Sequence, residues 1–320
     1  VAVNLSRKIV VFSKSDSVAG TPESTFNAST DAMLLFNEIN PVQVDTKIVE
    51  LNPVRASFTK NKQLVGRSLH LFKPVTVLMG SGTLGVKPFL SPFLKACGLN
   101  EQSGAAAGSS YVAYTPISTG LGTSTAWVYA HDILHKVGSY VGSGVFDGKA
   151  GEGMLFNGDF KGLYSAVQSA TQPTSITYPT DRKLQIESES FNMKALGAGI
   201  VIAQSVKFDL GVQTVERPDY SSAKGLKGLL VIDRKPTLNV VAEAETNLAT
   251  NDWWADIQAA TDIDVTWQHG TVAGNVVVFT INDAQITKGA YQDAGGIRTM
   301  AFDMMLQNTT DDGDYEIRFK

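Results

Sequence analysis

The chain has a single cysteine, Cys97, so it cannot close an internal disulfide. The residues around it, Phe93, Leu94 and Ala96, are the setting of a small buried hydrophobe rather than of a nucleophile. No run of 18 apolar residues occurs, so no membrane-spanning segment is expected, and the opening VAVNLSRKIVVF lacks the order of regions of a signal peptide. Charged residues make up only 18% of the chain, which leaves much neutral surface for partners. Helix-period runs are scarce too. Against these shortages stand 29 glycines and many serines and threonines, the composition of β structure with many turns. A hydrophobic share of 43% over 320 residues excludes a largely disordered chain and suffices for one large or two ordinary domains.

Charge is uneven along the chain. Residues 1–178 carry 14 Lys and Arg against 11 Asp and Glu, a balance of +3, whereas residues 179–320 carry 13 against 20, a balance of −7. The acidic half argues against a general nucleic-acid binder, which needs a cationic footprint to displace counterions. The break between the halves is the uncharged stretch Ser165–Pro179, which contains two prolines and reads as a linker.

On either side of that break the same features recur in order. Val49-Glu50-Leu51-Asn52-Pro53, Gly66, the strand Leu69–Phe72, Lys73-Pro74 and a short helix at Pro92–Cys97 are matched by a second series. That series is Val215-Glu216-Arg217-Pro218, Gly228, the strand Leu229–Ile232, Lys235-Pro236 and a short helix from Asp252, expected as its cap, to Ile257. Gly66 and Gly228 lie 162 positions apart, as do Pro74 and Pro236. Further on, Ala150-Gly151 and Phe156–Phe160 correspond to Ala294-Gly295 and Met300–Met304. One β domain present twice accounts for this order, with a period far too long for a solenoid. Boundaries at 1–170 and 181–320, with 171–180 joining them, follow. Near the end, Asp314–Lys320 alternates apolar Tyr, Ile and Phe with charged residues, a half-buried strand expected to form a hairpin with Ala301–Gln307. Pro74 and Pro236 cannot donate to a ladder and are expected at bulges or sheet edges.

Chemical motifs are few. Val75–Val77 runs into Gly80-Ser-Gly-Thr-Leu-Gly85, which matches G-x-G-x-x-G. A dinucleotide site needs a helix opening within the glycines and an acid about 20 residues on. Here Pro88 and Pro92 prevent a long helix, the acid position falls in Gly104–Gly108, and the matching segment Val240–Glu245 has no glycine. A strand-to-helix turn is the better reading. His131 and His135 stand four apart across a turn between strand-like runs, without a third ligand or an HExxH glutamate. No G-x-S-x-G occurs, and Ser81 has no identifiable base. Asp311, Asp312 and Asp314 lack a calcium loop and read as a charged hairpin tip. No catalytic, cofactor-binding or metal residues are assigned. The loop Asn52–Val65, with Arg55, Lys60 and Lys62 and no acid, either reaches another copy or stands as a solvated hairpin. Trp253 and Trp254 are mostly core, with one ring available to a neighbouring subunit.

The segments Gly20-Thr21-Pro22, Ala32–Leu35, Val54-Arg55, Pro74–Gly82, Ala96-Cys97-Gly98, Tyr111–Ser118, Ser124–Tyr129, His135–Gly142 and Phe160–Tyr164, in this order, resemble the bacteriophage tail tube family. In the second half, Ile232–Pro236, Gly274-Asn275 and Asp314–Phe319 fit the same pattern. The chain departs from the simplest members, which carry one tube domain. The resemblance implies a mainly β fold of two tandem tail-tube-like β-sandwich or barrel domains, each with a short α-helix. It implies a virion protein made in the host bacterial cytoplasm, neither enzyme nor cofactor binder, whose partners are its own copies and other tail proteins, with transient passage of DNA. Two fused domains would let trimeric rings imitate a sixfold one, with acidic side chains of the second domain lining the channel. A hub or adaptor of the same fold stays open, and an enzyme using Gly80–Gly85 is the weakest alternative.

Overall fold

A computed structural model describes residues 8–36, 40–51, 54, 56–57, 59, 62–106, 109–178, 188–194, 202–222, 225–244, 252–307 and 311–320. Over these residues the protein is mainly β, with two short helices and one large multi-strand sheet. The first stretch of chain contributes β1 (Ile9–Ser15), β2 (Ala32–Met33), β3 (Val42–Val49), β4 (Leu64–Phe72), β5 (Val75–Val77) and α1 (Ser91–Ala96). There follow β6 (Leu99–Ala106), β7 (Ser109–Pro116), β8 (Ser124–Ala130), β9 (Ile133–Lys149), β10 (Leu155–Tyr164) and β11 (Gln168–Ser169). The second stretch gives β12 (Ser188–Lys194), β13 (Ala203–Asp209), β14 (Val212–Pro218), β15 (Leu226–Arg234), β16 (Thr237–Glu243) and α2 (Trp253–Ala259). It ends with β17 (Ile263–His269), β18 (Val277–Ala294), β19 (Ile297–Leu306) and β20 (Tyr315–Phe319).

Both helices fall where their sequence signals place them. Pro92 sits in the first turn of α1, where a missing N–H costs nothing, and the Asp252 carboxylate caps α2 by accepting from the Ala255 N–H at 3.1 Å. α1 ends two residues before left-handed Gly98 (φ 75°), and α2 ends one residue before left-handed Ala260 (φ 49°). Pro74 and Pro236 lie in two-residue breaks, after β4 and after β15. Each accepts through its carbonyl from the neighbouring strand, Gly158 N–H at 2.8 Å and Leu306 N–H at 3.3 Å. Neither has to donate.

All strand pairings among the described residues are antiparallel. β8 and β9 pair with Ser124 opposite Tyr140 and Ala126 opposite Val137, a bulge lying between them at the left-handed Ser139. β17 and β18 repeat that pattern, with Ile263 opposite Ala284, Val265 opposite Ile281 and left-handed Asp283. β1 lies beside β8, and β12 beside β17. The terminal strand β20 keeps the expected alternation, with Tyr315, Ile317 and Phe319 buried. It does not form a hairpin with β19, however. β20 pairs with Val277–Ile281 of β18 and, on its other side, with β7. The reason is length: β18 has 18 residues, β19 occupies Ala284–Ala294, and the first five residues on the same flank remain for β20.

One core runs through residues from both sides of the linker. Phe93 stacks between Phe156 and Phe160, Phe156 meets Phe146 at 5.1 Å, and Phe146 meets Phe279 at 5.1 Å. Phe279 in turn stacks on Trp267 at 4.4 Å. Each such ring removes apolar surface worth about 1.5–3 kcal/mol. The polar stretch after β11 has no strand, but it is docked: Ile176 and Tyr178 pack against Val10, Phe12 and Tyr129, and Thr177 N–H donates to Ala28 O at 3.2 Å.

Candidate functional site: sealed and open sheet edges

The long strands β9 and β18 organise the molecule, and they differ in how their flanks are filled. One flank of β9 holds β10. The other holds β8 along Ile133–Tyr140 and then β13, whose Ser205–Asp209 lies opposite Lys149–Val145. The Leu210 N–H donates to Gly144 O at 3.0 Å and extends this joint, so a strand from beyond the linker seals the edge of β9. On β18, one flank holds β20 and then β19, while the other holds β17 only as far as Ala284. Past Ala284 no strand lies on that flank among the described residues. The two-residue turn Gly295–Gly296 pairs Ala294 with Ile297, so alternate residues Gln292, Ala290 and Lys288 face β19. Gly289, Tyr291 and Asp293 therefore turn their N–H and C=O groups outward.

A second open edge belongs to β3, which among the described residues pairs with β4 alone. The Lys73 N–H donates to Pro41 O at 2.8 Å, so Pro41 and Gln43 face β4 while Asn40, Val42 and Val44 face outward. Asn40 Oδ1 accepts the Val42 N–H at 3.0 Å, a side chain covering an otherwise bare donor. Val44, Ile48 and Val49 are exposed. The hairpin β14–β15, in contrast, is docked. Leu226 and Leu229 bury themselves against Leu69 and Val141, and Arg67 Nε meets Glu216 Oε2 at 2.7 Å.

Of the residues singled out in the sequence, Arg55 and Lys60 lie outside the described residues. Lys62 is exposed just before β4. Trp253 is 4% exposed with its ring against Phe302 at 5.2 Å, so it belongs to the core. Trp254 is 38% exposed and its indole N–H donates to Tyr291 Oη at 3.4 Å, beside the open flank of β18. The glycines of Gly80–Gly85 serve backbone contact: Gly82 N–H donates to Gly274 O at 3.0 Å, and the chain passes too close at Gly80 for any side chain. His131 occupies the β8–β9 turn with φ 59°, and His135 lies on β9 in contact with His70. No group of three metal-ligating side chains occurs among the described residues. Cys97 is buried, and burial pushes its thiol pKa up.

The aspartates near the C-terminus do more than decorate a hairpin tip. Arg234 Nη2 reaches Asp312 at 2.5 Å, its Nε reaches Asp314 at 3.1 Å, and its Nη1 donates to Ile117 O at 3.0 Å. Asp312 also accepts from Ser118 N–H at 3.0 Å and from its hydroxyl at 2.6 Å. These bonds, the Ser118 hydroxyl first and Arg234 next, hold the Asp312 carboxyl below its usual range. Beside this clamp is a cavity of about 330 Å³, lined by Cys97, Ile117, Leu121, Val212, Val231 and Arg234. The arginine is committed to its two carboxylates and offers little to an anion. What the described surface presents is backbone edges. The chain matches no protein-family model and no curated protein.

Proposed function

We propose that the protein is a structural subunit that polymerises through its sheet edges, a tail-tube protein whose trimeric, pseudo-sixfold rings stack into a hollow conduit for phage DNA. The reading takes the chain as one β unit present twice. Several coincidences support the duplication. The bulged ladders of β8–β9 and β17–β18 superpose in register, with Ser139 and Asp283 both left-handed and 144 positions apart. α1 and α2 start 162 positions apart, as do β4 and β15. Gly98 and Ala260, the left-handed residues at the helix ends, keep the same spacing.

The observation that carries the proposal is the contrast between β9 and β18. Among the described residues, the joint that β13 makes on β9 inside the chain has no counterpart on the corresponding part of β18. A twice-repeated unit linked by an internal joint, with a matching edge left open, is the form a ring subunit takes: the internal joint is repeated between chains until the ring closes. Three chains of two units give six joints, three within chains and three between them. The −7 balance of the second half suits a conduit that must not retain DNA, whose duplex carries one charge per about 1.7 Å.

Negative-stain microscopy of the purified protein, with native mass measurement, tests the reading. Hollow rings or tubes with three chains per ring are expected. A protein that stays monomeric at tens of micromolar, or rings of six whole chains, overturns it.

A further inference from the structure

The in-chain joint fixes a register, and the register can be carried to the open edge. By ladder position, which runs four residues ahead of the 162-position spacing of the helices because Phe72 and Leu238 are 166 apart, Val42 stands where Phe208 stands in the second half: Val42 is opposite Phe72, which is opposite Phe160, while Phe208 is opposite Leu238, which is opposite Met304. Phe160 and Met304 are 144 positions apart, like the bulge residues. The orientation agrees as well. Pro41 and Lys207 face inward to the strand on their own side, whereas Val42, Val44, Phe208 and Leu210 face out. On the receiving side, Asp147 is opposite Leu155 and Gln292 is opposite Thr299, which equates Val145 with Ala290 and Gly144 with Gly289.

Resting on the duplicated-subunit reading, we infer that the open flank of β18 takes the outer edge of Asn40–Asp45 from a second copy of this chain, antiparallel, with Gln43 opposite Ala290. Val42 then lies opposite Tyr291, and the Val44 N–H donates to Gly289 O as Leu210 N–H does to Gly144 O. Pro41 is harmless in this ladder because its missing donor is on the β4 side. Continuing the same register sets Asp45 against Lys288, two exposed charges of opposite sign. The contact also covers Val44 and Tyr291, which are 44% and 52% exposed in the isolated chain. Asn40 acts as the guard of the free edge: its carboxamide releases the Val42 N–H when the partner strand arrives.

Paired cysteines test the register. Gln43→Cys with Ala290→Cys places two thiols in a non-hydrogen-bonded pair, where Cα atoms stand about 4.5 Å apart, within reach of a disulfide. Cys97 is buried and does not compete. Mild oxidation of assembled protein should give covalent dimers and trimers and nothing larger. Val44→Cys with Ala290→Cys, one residue out of register, puts the thiols on opposite faces and should link at least tenfold less. Rings in which the two pairs behave alike, or in which neither links, overturn the strand pairing and leave the ring reading standing. Absence of rings in the unsubstituted protein overturns both.

Should the double variant fail to fold, Tyr291→Pro serves instead. It removes one outward N–H and spares the donors of Ala290 and Gln292 that face β19. A thermal midpoint within a few degrees of the parent, with the concentration for half-assembly raised at least tenfold, is expected. Assembly at the parent's concentration overturns the proposal.

Discussion

A Cβ on Gly80 would stand 2.2 Å from Gly274 O and 2.8 Å from the Asn275 Cα, backbone atoms with nowhere to swing. Gly80→Ala therefore forces the two loops apart and should lower the unfolding free energy by about 1–3 kcal/mol, the usual penalty of overpacking. Gly228→Ala, where nothing lies within 4 Å, should change it by less than about 0.5 kcal/mol. Equal losses in denaturant titrations of the two variants would show that the close approach does not matter. Asp312 supports a second expectation. Its folded pKa is depressed by Ser118 and Arg234, so its stabilisation is present above the unfolded carboxylate pKa of about 4 and is lost as pH falls through the lower folded value. Asp312→Asn should thus cost stability at pH 7, and the gap to the parent should narrow as the pH is taken from 5 toward 3. A gap constant over that range would mean that the carboxylate's charge is not what fastens Arg234.

Elements 162 positions apart in the two halves sit in different surroundings, and this yields a comparison internal to the chain. Leu226 begins β15 and is 7% exposed, whereas Leu64, 162 positions earlier at the start of β4, is 53% exposed. In the single chain Leu226→Ala should cost about 2–5 kcal/mol and Leu64→Ala less than about 0.5 kcal/mol. Thermal unfolding of the two variants checks this, and similar midpoints would deny that β14–β15 is fastened to Leu69 and Val141. Such elements were legible in unequal measure. Alternation gave away Tyr315–Phe319, Asp252 and Pro92 marked both helix starts, and the run before Gly80 was recognisable as a strand. These are local signals, set by side-chain period and by capping. The partner of β20 was not legible, because the nearest strand in sequence loses to a distant flank left vacant on β18. Nor was the Arg234 clamp, whose carboxylates lie 78 and 80 positions away. The open flank Gly289–Asp293 had one signal in the sequence, the Gly295–Gly296 turn. That turn announces a hairpin but says nothing of what lies on the hairpin's far side.

At the scale of the whole molecule, the uneven charge becomes a statement about kinetics. If rings join the second half of one chain to the first half of the next, every contact between chains brings a −7 body to a +3 body. Pairs exposed to solvent add little to the final affinity, since each is worth at most about 1 kcal/mol and is screened. Before contact the same charges act at a distance and orient the encounter, so their effect falls on the association rate. Raising salt from 0.1 M to 1 M shortens the screening length from about 10 Å to about 3 Å, less than the width of one strand pair. The proposed backbone ladder between chains would contain no such long-range element. Light scattering after dilution from a dissociating condition should therefore show ring formation slowing at least several-fold between these salts. Preformed rings, diluted into the same buffers, should come apart at nearly unchanged rates. Formation that ignores salt would remove charge from the assembly step. A strong effect on dissociation alone would place the charged side chains inside the closed interface, where Asp45 against Lys288 is the pair to neutralise first.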